Sequence, residues 1–318
     1  MRTCLVALLV GVIVPSCAAV ESRSRGYSET TPARDDPRLV QLGLLYDDTI
    51  VTESGRTVDF NGQAVVPRYI HVEKSGSGAD LAVDVAVTNV VFGLNKNFTV
   101  KLGIPYVTKR LDRPGAAPTL RSEGLGDVPL VGKYRFYQKT GLGETTEAAA
   151  IFGFELPTGR DGVSDGGILL PAPLQPGSGS LDAILGGAIT RVDGRWLVNA
   201  DLIAKINSEA SNYRFGNVLR ADVGGQYRVH PARYDRFDQL TVNLVAELNS
   251  VWLGRDRLDG ASVEASGGLK LFVTPGIQVI LNRYFLVEAA VQIPVVMNLN
   301  GSQLEEDYVA IVGLRARF

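Results

Sequence analysis

An all-β fold, an antiparallel transmembrane barrel of about twelve strands, is what this 318-residue sequence predicts. Three observations carry that reading. Segments of about ten residues alternate apolar and polar side chains, the joints between them alternate short and long, and the chain ends inside such a segment, on an aromatic residue. A period of two marks a strand with two unlike faces. About ten residues cross a bilayer at a tilt, whereas globular strands run nearer five or six. A soluble β-sandwich also alternates, but it gives no reason for its joints to alternate in length.

The amino terminus reads as an export leader. Arg2 supplies positive charge, Leu5 to Val14 form an apolar run too short to span a bilayer core, and small residues permit cleavage after Ala19. A competing reading makes Cys17 a lipidated cysteine, and Pro15 fits that motif poorly. Both cysteines, Cys4 and Cys17, lie in this leader, so the chain cut after Ala19 has no thiol and must hold together by hydrogen bonding and packing. No later stretch approaches the roughly 20 apolar residues of a membrane helix. Residues 1–19 are therefore assigned to a signal peptide and 63–318 to an outer-membrane barrel. Residues 20–62 are read as a periplasmic leader and uncertain segment, a plug or an extra strand. A net charge of −2 offers no footing for nucleic acid.

Along the barrel, NFTVKLGIPY sets Phe98, Val100, Leu102, Ile104 and Tyr106 against Thr99, Lys101 and Gly103. DVPLVGKYRFY opposes Leu130, Tyr134 and Phe136 to Lys133 and Arg135, and RWLVNADLIAKIN opposes Trp196, Val198 and Leu202 to Asn199, Asp201 and Lys205. LRADVGGQYRV, LTVNLVAELNS, LKLFVTPGIQVIL and LVEAAVQIP repeat the pattern, and weaker candidates near 65–75, 81–92, 147–157 and 180–192 bring the count to about twelve. Short joints at GLNKN, Asp193-Gly194 and NRYF face long ones at 108–126, 158–179, 251–266 and 296–307. Short turns inside and long loops outside are the outer-membrane rule. YVAIVGLRARF is then the closing strand, with Tyr308, Gly313 and Phe318 in a carboxy-terminal signal for the barrel-assembly machinery. A bare strand edge invites pairing, and the barrel's own first strand covers this one.

The ordered phrases FGLNKNFTVKLGIPYV, EGLGDVPLVGKYRFY, FGFELPTGRDG, GSGSLDAILGGAITRVDGRWLVNADL and VTPGIQVILNRYFLVEAAVQIPV, over roughly 65–318, resemble the "MetA-pathway of phenol degradation" family. The resemblance implies a transporter-like barrel in the bacterial outer membrane that passes aromatic or other small organic molecules.

The chemistry-bearing residues are few. His71 and His230 are the only histidines and have no neighbouring ligand pattern, so no metal, cofactor or catalytic residue is assigned, and an outer-membrane hydrolase is a distant alternative. The Gly-rich phrases GLGD, GSGS and GLGET open no helix and read as turns. Inward parity places Lys101, Lys133, Arg135, Arg220, Arg228, Arg315 and Arg317 in the lumen, with Asp84, Asp201, Asp222, Glu247 and Glu288. With the signs mixed, the cations are expected to form a spread wall of weak ion selectivity rather than one anion site. The partners implied are outer-membrane lipid and an unidentified small-molecule solute. The favoured function is passage or uptake of small molecules; the alternative is a plugged structural or surface-interaction barrel. If Phe318 belongs to the assembly signal, Phe318→Asp or loss of the last four residues should abolish heat-modifiable barrel in outer membranes, and normal amounts would contradict the assignment.

Overall fold

The computed structural model describes residues 49–58, 62–115, 118–141, 143–234 and 239–318. The leader, both cysteines and residues 20–48 lie outside the described residues. Thirteen segments form one antiparallel sheet, and two of them lie end to end along the same neighbour, so the wall has twelve strands.

These are β1 (Gln63–Gly76), β2 (Ala79–Asn95), β3 (Phe98–Asp112), β4 in two arms (Leu120–Leu125 and Val128–Thr140), β5 (Glu144–Leu156) and β6 (Asp182–Asp193). They continue as β7 (Trp196–Ile206), β8 (Val218–His230), β9 (Thr241–Leu253), β10 (Gly268–Ile280), β11 (Phe285–Leu299) and β12 (Glu305–Arg317). Each pairs with the next, and β12 pairs with β1 from Ala64↔Arg317 to Ser75↔Glu305. The Phe318 amide donates to the Gln63 carbonyl at 2.9 Å, which completes the seam at the chain's last residue. No helix among the described residues is long and apolar enough to cross a membrane.

With both ends at the inner rim, the inner joints are 96–97, 141–143, 194–195, 231–240 and 281–284. The outer loops include 113–119, 157–181, 207–217 and 254–267. Two joints depart from the length rule. Ser77-Gly78 is a two-residue outer turn, where both residues have positive φ, 52° and 78°, as a tight hairpin with matched twist requires. The inner joint 231–240 is long, and Tyr234 within it lies under the Arg228 guanidinium, 4.0 Å from ring centroid to Cζ.

The apolar parity faces outward. Ile104, Tyr134, Phe136, Trp196, Leu202, Val223, Leu244 and Val312 are all exposed, as side chains against lipid are. The aromatic ends form two girdles, Trp196 and Tyr227 in contact at 4.5 Å on the inner rim, and Tyr69, Tyr106 and Tyr308 toward the outer one. Above the outer girdle the outward face turns polar. Asp84, expected inside, is outside, where its carboxylate accepts from the Tyr69 hydroxyl at 2.5 Å and meets His71 Nδ1 at 2.8 Å. The reason is in the phrase LAVDVAVTNVV, which carries polar residues on both parities, Asp84 and Thr88 on one and Asn89 on the other, among apolar neighbours on each, so alternation cannot orient it.

The wall has one discontinuity. β3 pairs with β4 through Leu102↔Leu130 and again from Tyr106↔Leu125, leaving 103–105 facing 126–129 without a ladder. Pro105 and Pro129 contribute no amide there. Asp127 turns its carboxylate to the outer loop 157–181, accepting from the Gly159 and Ser178 amides at 2.9 and 2.6 Å. That loop bends over the mouth, burying Leu170 and Leu174, and the inward-facing Lys109 donates to its Pro173 and Gln175 carbonyls.

Thr99 and Gln226 are only 6% and 2% exposed, so the lumen is packed where parity alone suggests open space for a longer side chain. Facing is better tested at one depth, with Leu202 outward and half exposed and its neighbour Ile203 inward between Gly186 and Arg220. Leu202→Arg should lose about 2–4 kcal/mol of folding stability in lipid, a cost Ile203→Arg largely avoids; urea titration of folded barrel in vesicles measures both, and equal losses would overturn the assigned facing.

Candidate functional site: a plugged, two-sided lumen

Residues 49–58 run inside the barrel without strand or helix. Backbone donors in such a place still need partners, and inward side chains of the wall supply them. Glu247 of β9, 3% exposed, accepts from the amides of Ile50 and Thr52 at 2.7 and 2.6 Å, from Val51 at 3.0 Å, and from the Thr52 hydroxyl at 2.6 Å. Asp201 of β7 takes the Glu53 amide at 2.6 Å, Thr190 of β6 the Gly55 amide at 2.9 Å, and Thr99 of β3 the Val58 amide at 2.8 Å. Arg56 reaches Glu147 of β5 at 3.3 Å. The segment is therefore held from β3 around to β9, and the wall makes room for it. A Cβ on Gly224 would lie 2.7 Å from Thr49 Cγ2, and one on Gly276 2.7 Å from Ile50 Cδ1.

The two sides of the lumen differ in chemistry. From β6 to β11 the inward face is polar and buried, with Asn199, Asp222, Gln226, Asn243, Asn249, Gln278 and Glu288 each 2% exposed or less. Internal bonds satisfy part of it, including Thr274 to Asn249 at 2.6 Å, Gln278 to Glu288 at 3.0 Å and the ion pair of Arg220 with Asp222. From β12 through β1 to β3 the inward face is largely apolar toward the outer half. Ile70 and Val72 pack with Ile50, Val245, Ala290, Val309 and Ile311. Across the ladder Ile70 pairs with Val85, Val72 with Val83 and Val85 with Val107, and directly opposed residues share a face. Alternation misses this side because its strands are apolar on both faces; that doubled apolarity was the readable signal.

The sequence-assigned residues fall as follows. Lys101 and Lys133 both bind the Glu53 carboxylate, Lys133 at 3.0 Å. Arg135 pairs with Glu147 at 2.5 Å, Arg220 with Asp222, and Arg228 stacks on Tyr234. Asp201 and Glu247 hold the inner segment, and Glu288 receives Arg68 at 2.7 Å across β12. Gly313 lies between that pair, where a Cβ would come 2.8 Å from Glu288 Oε1. Tyr308 faces outward against the His71 ring at 5.8 Å, and Phe318 is 72% exposed at the seam.

The spread wall of cations is corrected in part. Lys101, Lys133, Arg315 and Arg317 join Arg68 and Arg56 around one cavity of about 170 Å³, while Arg135, Arg220 and Arg228 stand elsewhere. Closure brings this about, since β12 and β3 are separated only by β1 and β2. Sequence reasoning missed residues 49–58 as ligands of the wall. Among the described residues no group of three or more His, Cys, Asp or Glu is arranged to hold a metal ion.

A model of the family described as "Putative MetA-pathway of phenol degradation" matches residues 47–292. Among solved structures, an outer membrane channel from Pseudomonas putida F1 aligns with a TM-score of 0.61 at 15% identity, covering 85% of this chain and 100% of that one. The β domain of the Bordetella autotransporter BrkA aligns with a TM-score of 0.46 at 12% identity, covering 81% of this chain and 100% of its own. The first of these supports the barrel fold. No curated protein matches the sequence.

Hydrogen bonds to a charged partner are worth about 1.5–3 kcal/mol each, so removing the Glu247 carboxylate should release residues 50–52. Glu247→Ala is expected to raise single-channel conductance several-fold in planar bilayers and to expose the inner segment to protease; an unchanged conductance would show that Glu247 does not hold the lumen shut.

Proposed function

This chain belongs to the MetA-pathway of phenol degradation family, and from that premise we propose that it is an outer-membrane conduit for small apolar or amphipathic molecules, closed at rest by residues 49–58. The observation that carries the reading is the valine-lined sector of the lumen, where Val83, Val85 and Val87 stay half-buried on the inward face of β2. Filler for a closed barrel would be packed to the density of an interior. A partly exposed apolar wall inside a polar barrel instead favours a solute that returns apolar surface to it, at about 25 cal/mol per Å² covered.

The inner segment and the loop 157–181 set the resting state. The inner segment is tied mainly by side chains of the wall, and the loop by side chains together with one backbone bond from the Arg160 amide to the Leu125 carbonyl, so neither is a strand of the barrel and each can leave without opening it. The rival reading, a structural barrel whose lumen is merely filled, is favoured by the extent of those ties, and transport separates the two. Vesicles carrying the protein should admit small neutral aromatics faster than sugars of the same size, and Glu247→Ala should accelerate both while retaining the order. Identical entry with and without the protein, for both solute types and in both variants, would remove the conduit.

A further inference from the structure

The inner segment meets its strongest charge contact at one residue. The Glu53 carboxylate sits between the ammonium groups of Lys101 on β3 and Lys133 on β4. Both lysines project from neighbouring strands into the cavity of about 170 Å³, which among the described residues is lined by six cations and one acid, Glu53. Glu147 and Glu288 bind Arg56 and Arg68 from behind, so the two lysines depend on Glu53 for their compensation. Beside these charges the cavity wall carries an apolar stretch of Val66, Val91, Val131 and Ile151, next to Thr57, Asn89 and Thr99. A cavity of roughly 150 Å³ accommodates a benzene molecule, so the space matches one aromatic ring or a comparably compact apolar body.

A carboxylate supplied by the chain itself, held by two lysines at the edge of a ring-sized apolar space, is the arrangement a small organic acid would need. We propose that Glu53 stands in for the carboxylate of the solute: a monocarboxylate with a compact apolar body displaces it from Lys101 and Lys133 and lodges its body against Val66, Val91, Val131 and Ile151. This rests on the conduit reading above for its physiological meaning, and it deepens that reading by naming the solute class. Displacement weakens one tether of the inner segment, so arrival of the solute and loosening of the closure become one event. The remaining ties, at Glu247, Asp201 and Thr190, keep the segment in the lumen after Glu53 lets go. The exchange is charge-neutral for the lysines, which see one carboxylate replaced by another, and this lets a group so well compensated be displaced at all.

The test uses the full-length barrel refolded in neutral detergent, with benzoate as probe and benzamide as its uncharged counterpart. Calorimetry should find benzoate bound in preference to benzamide. Glu53→Gln, which removes the competing charge and keeps the side chain's size, should tighten benzoate by about tenfold while changing benzamide by less than about twofold. Lys133→Gln should weaken benzoate by a similar factor. If Glu53→Gln leaves benzoate unchanged, or tightens benzamide equally, the stand-in role is wrong. Should that variant fail to give heat-modifiable barrel, Lys133→Gln decides alone, and unchanged benzoate affinity there overturns the proposal. The two readings fail separately. Entry of neutral aromatics into vesicles without benzoate preference removes only the carboxylate, whereas the expected binding pattern with no solute entry removes the conduit and leaves the site.

Discussion

Hydrocarbon offers no hydrogen-bond partner to a backbone, and the rest of this structure follows from that. Twelve strands satisfy their amides only if the last pairs with the first, and β12 does so with β1 down to Phe318. Closure fixes which side chains meet lipid, so Leu202 and Val223 lie outside and their polar neighbours Asp201 and Asp222 are forced in. It also makes neighbours of the two ends of the sequence. Arg68 of β1 finds Glu288 of β11 across β12, a contact between residues 220 positions apart.

The polar groups driven inward create a second demand. A buried carboxylate left without donors is costly, and Asp201 and Glu247 are 7% and 3% exposed. Residues 49–58 meet them with backbone amides, and the wall in turn gives that segment the partners it lacks as irregular chain. Lumen and inner segment therefore complete each other. What holds the segment is a set of discrete contacts, each removable, rather than a continuous ladder. A strand added to the wall could not leave without reopening the seam; this segment can.

How much of this was legible in the sequence depends on the strand. For β7 and β8 alternation states the facing of nearly every residue, and for β3 and β12 it does so over their inner halves, because there one face meets lipid and the other meets charged or polar groups. Period-two patterning is silent where both faces are apolar. β2 is the example: its phrase LAVDVAVTNVV oriented Asp84 wrongly, and its inward valines, the apolar sector of the lumen, were hidden by their likeness to lipid-facing ones. Charged lumen residues were readable one by one, yet their partners were not, since a partner such as Glu53 for Lys101 and Lys133 comes from a segment with no periodicity. The interruption of β4 at Gly126-Asp127 had a trace in Pro105 and Pro129, two residues that cannot donate to a ladder.

The unlike sides of the lumen have a consequence for hydration. Water entering the barrel can bond along the face of Asp201, Asp222 and Asn249, while the face of Val83, Val85 and Val107 offers it nothing. A molecule moving between them sheds its hydration shell on one flank only and keeps the other wet. For a solute of the proposed conduit the desolvation barrier would then be closer to that of adsorbing on a surface than of dissolving in oil, and the two unlike flanks would favour one orientation. Over its outer half the barrel behaves less as a pipe than as a rolled-up interface, with the boundary between polar and apolar surface running along its interior.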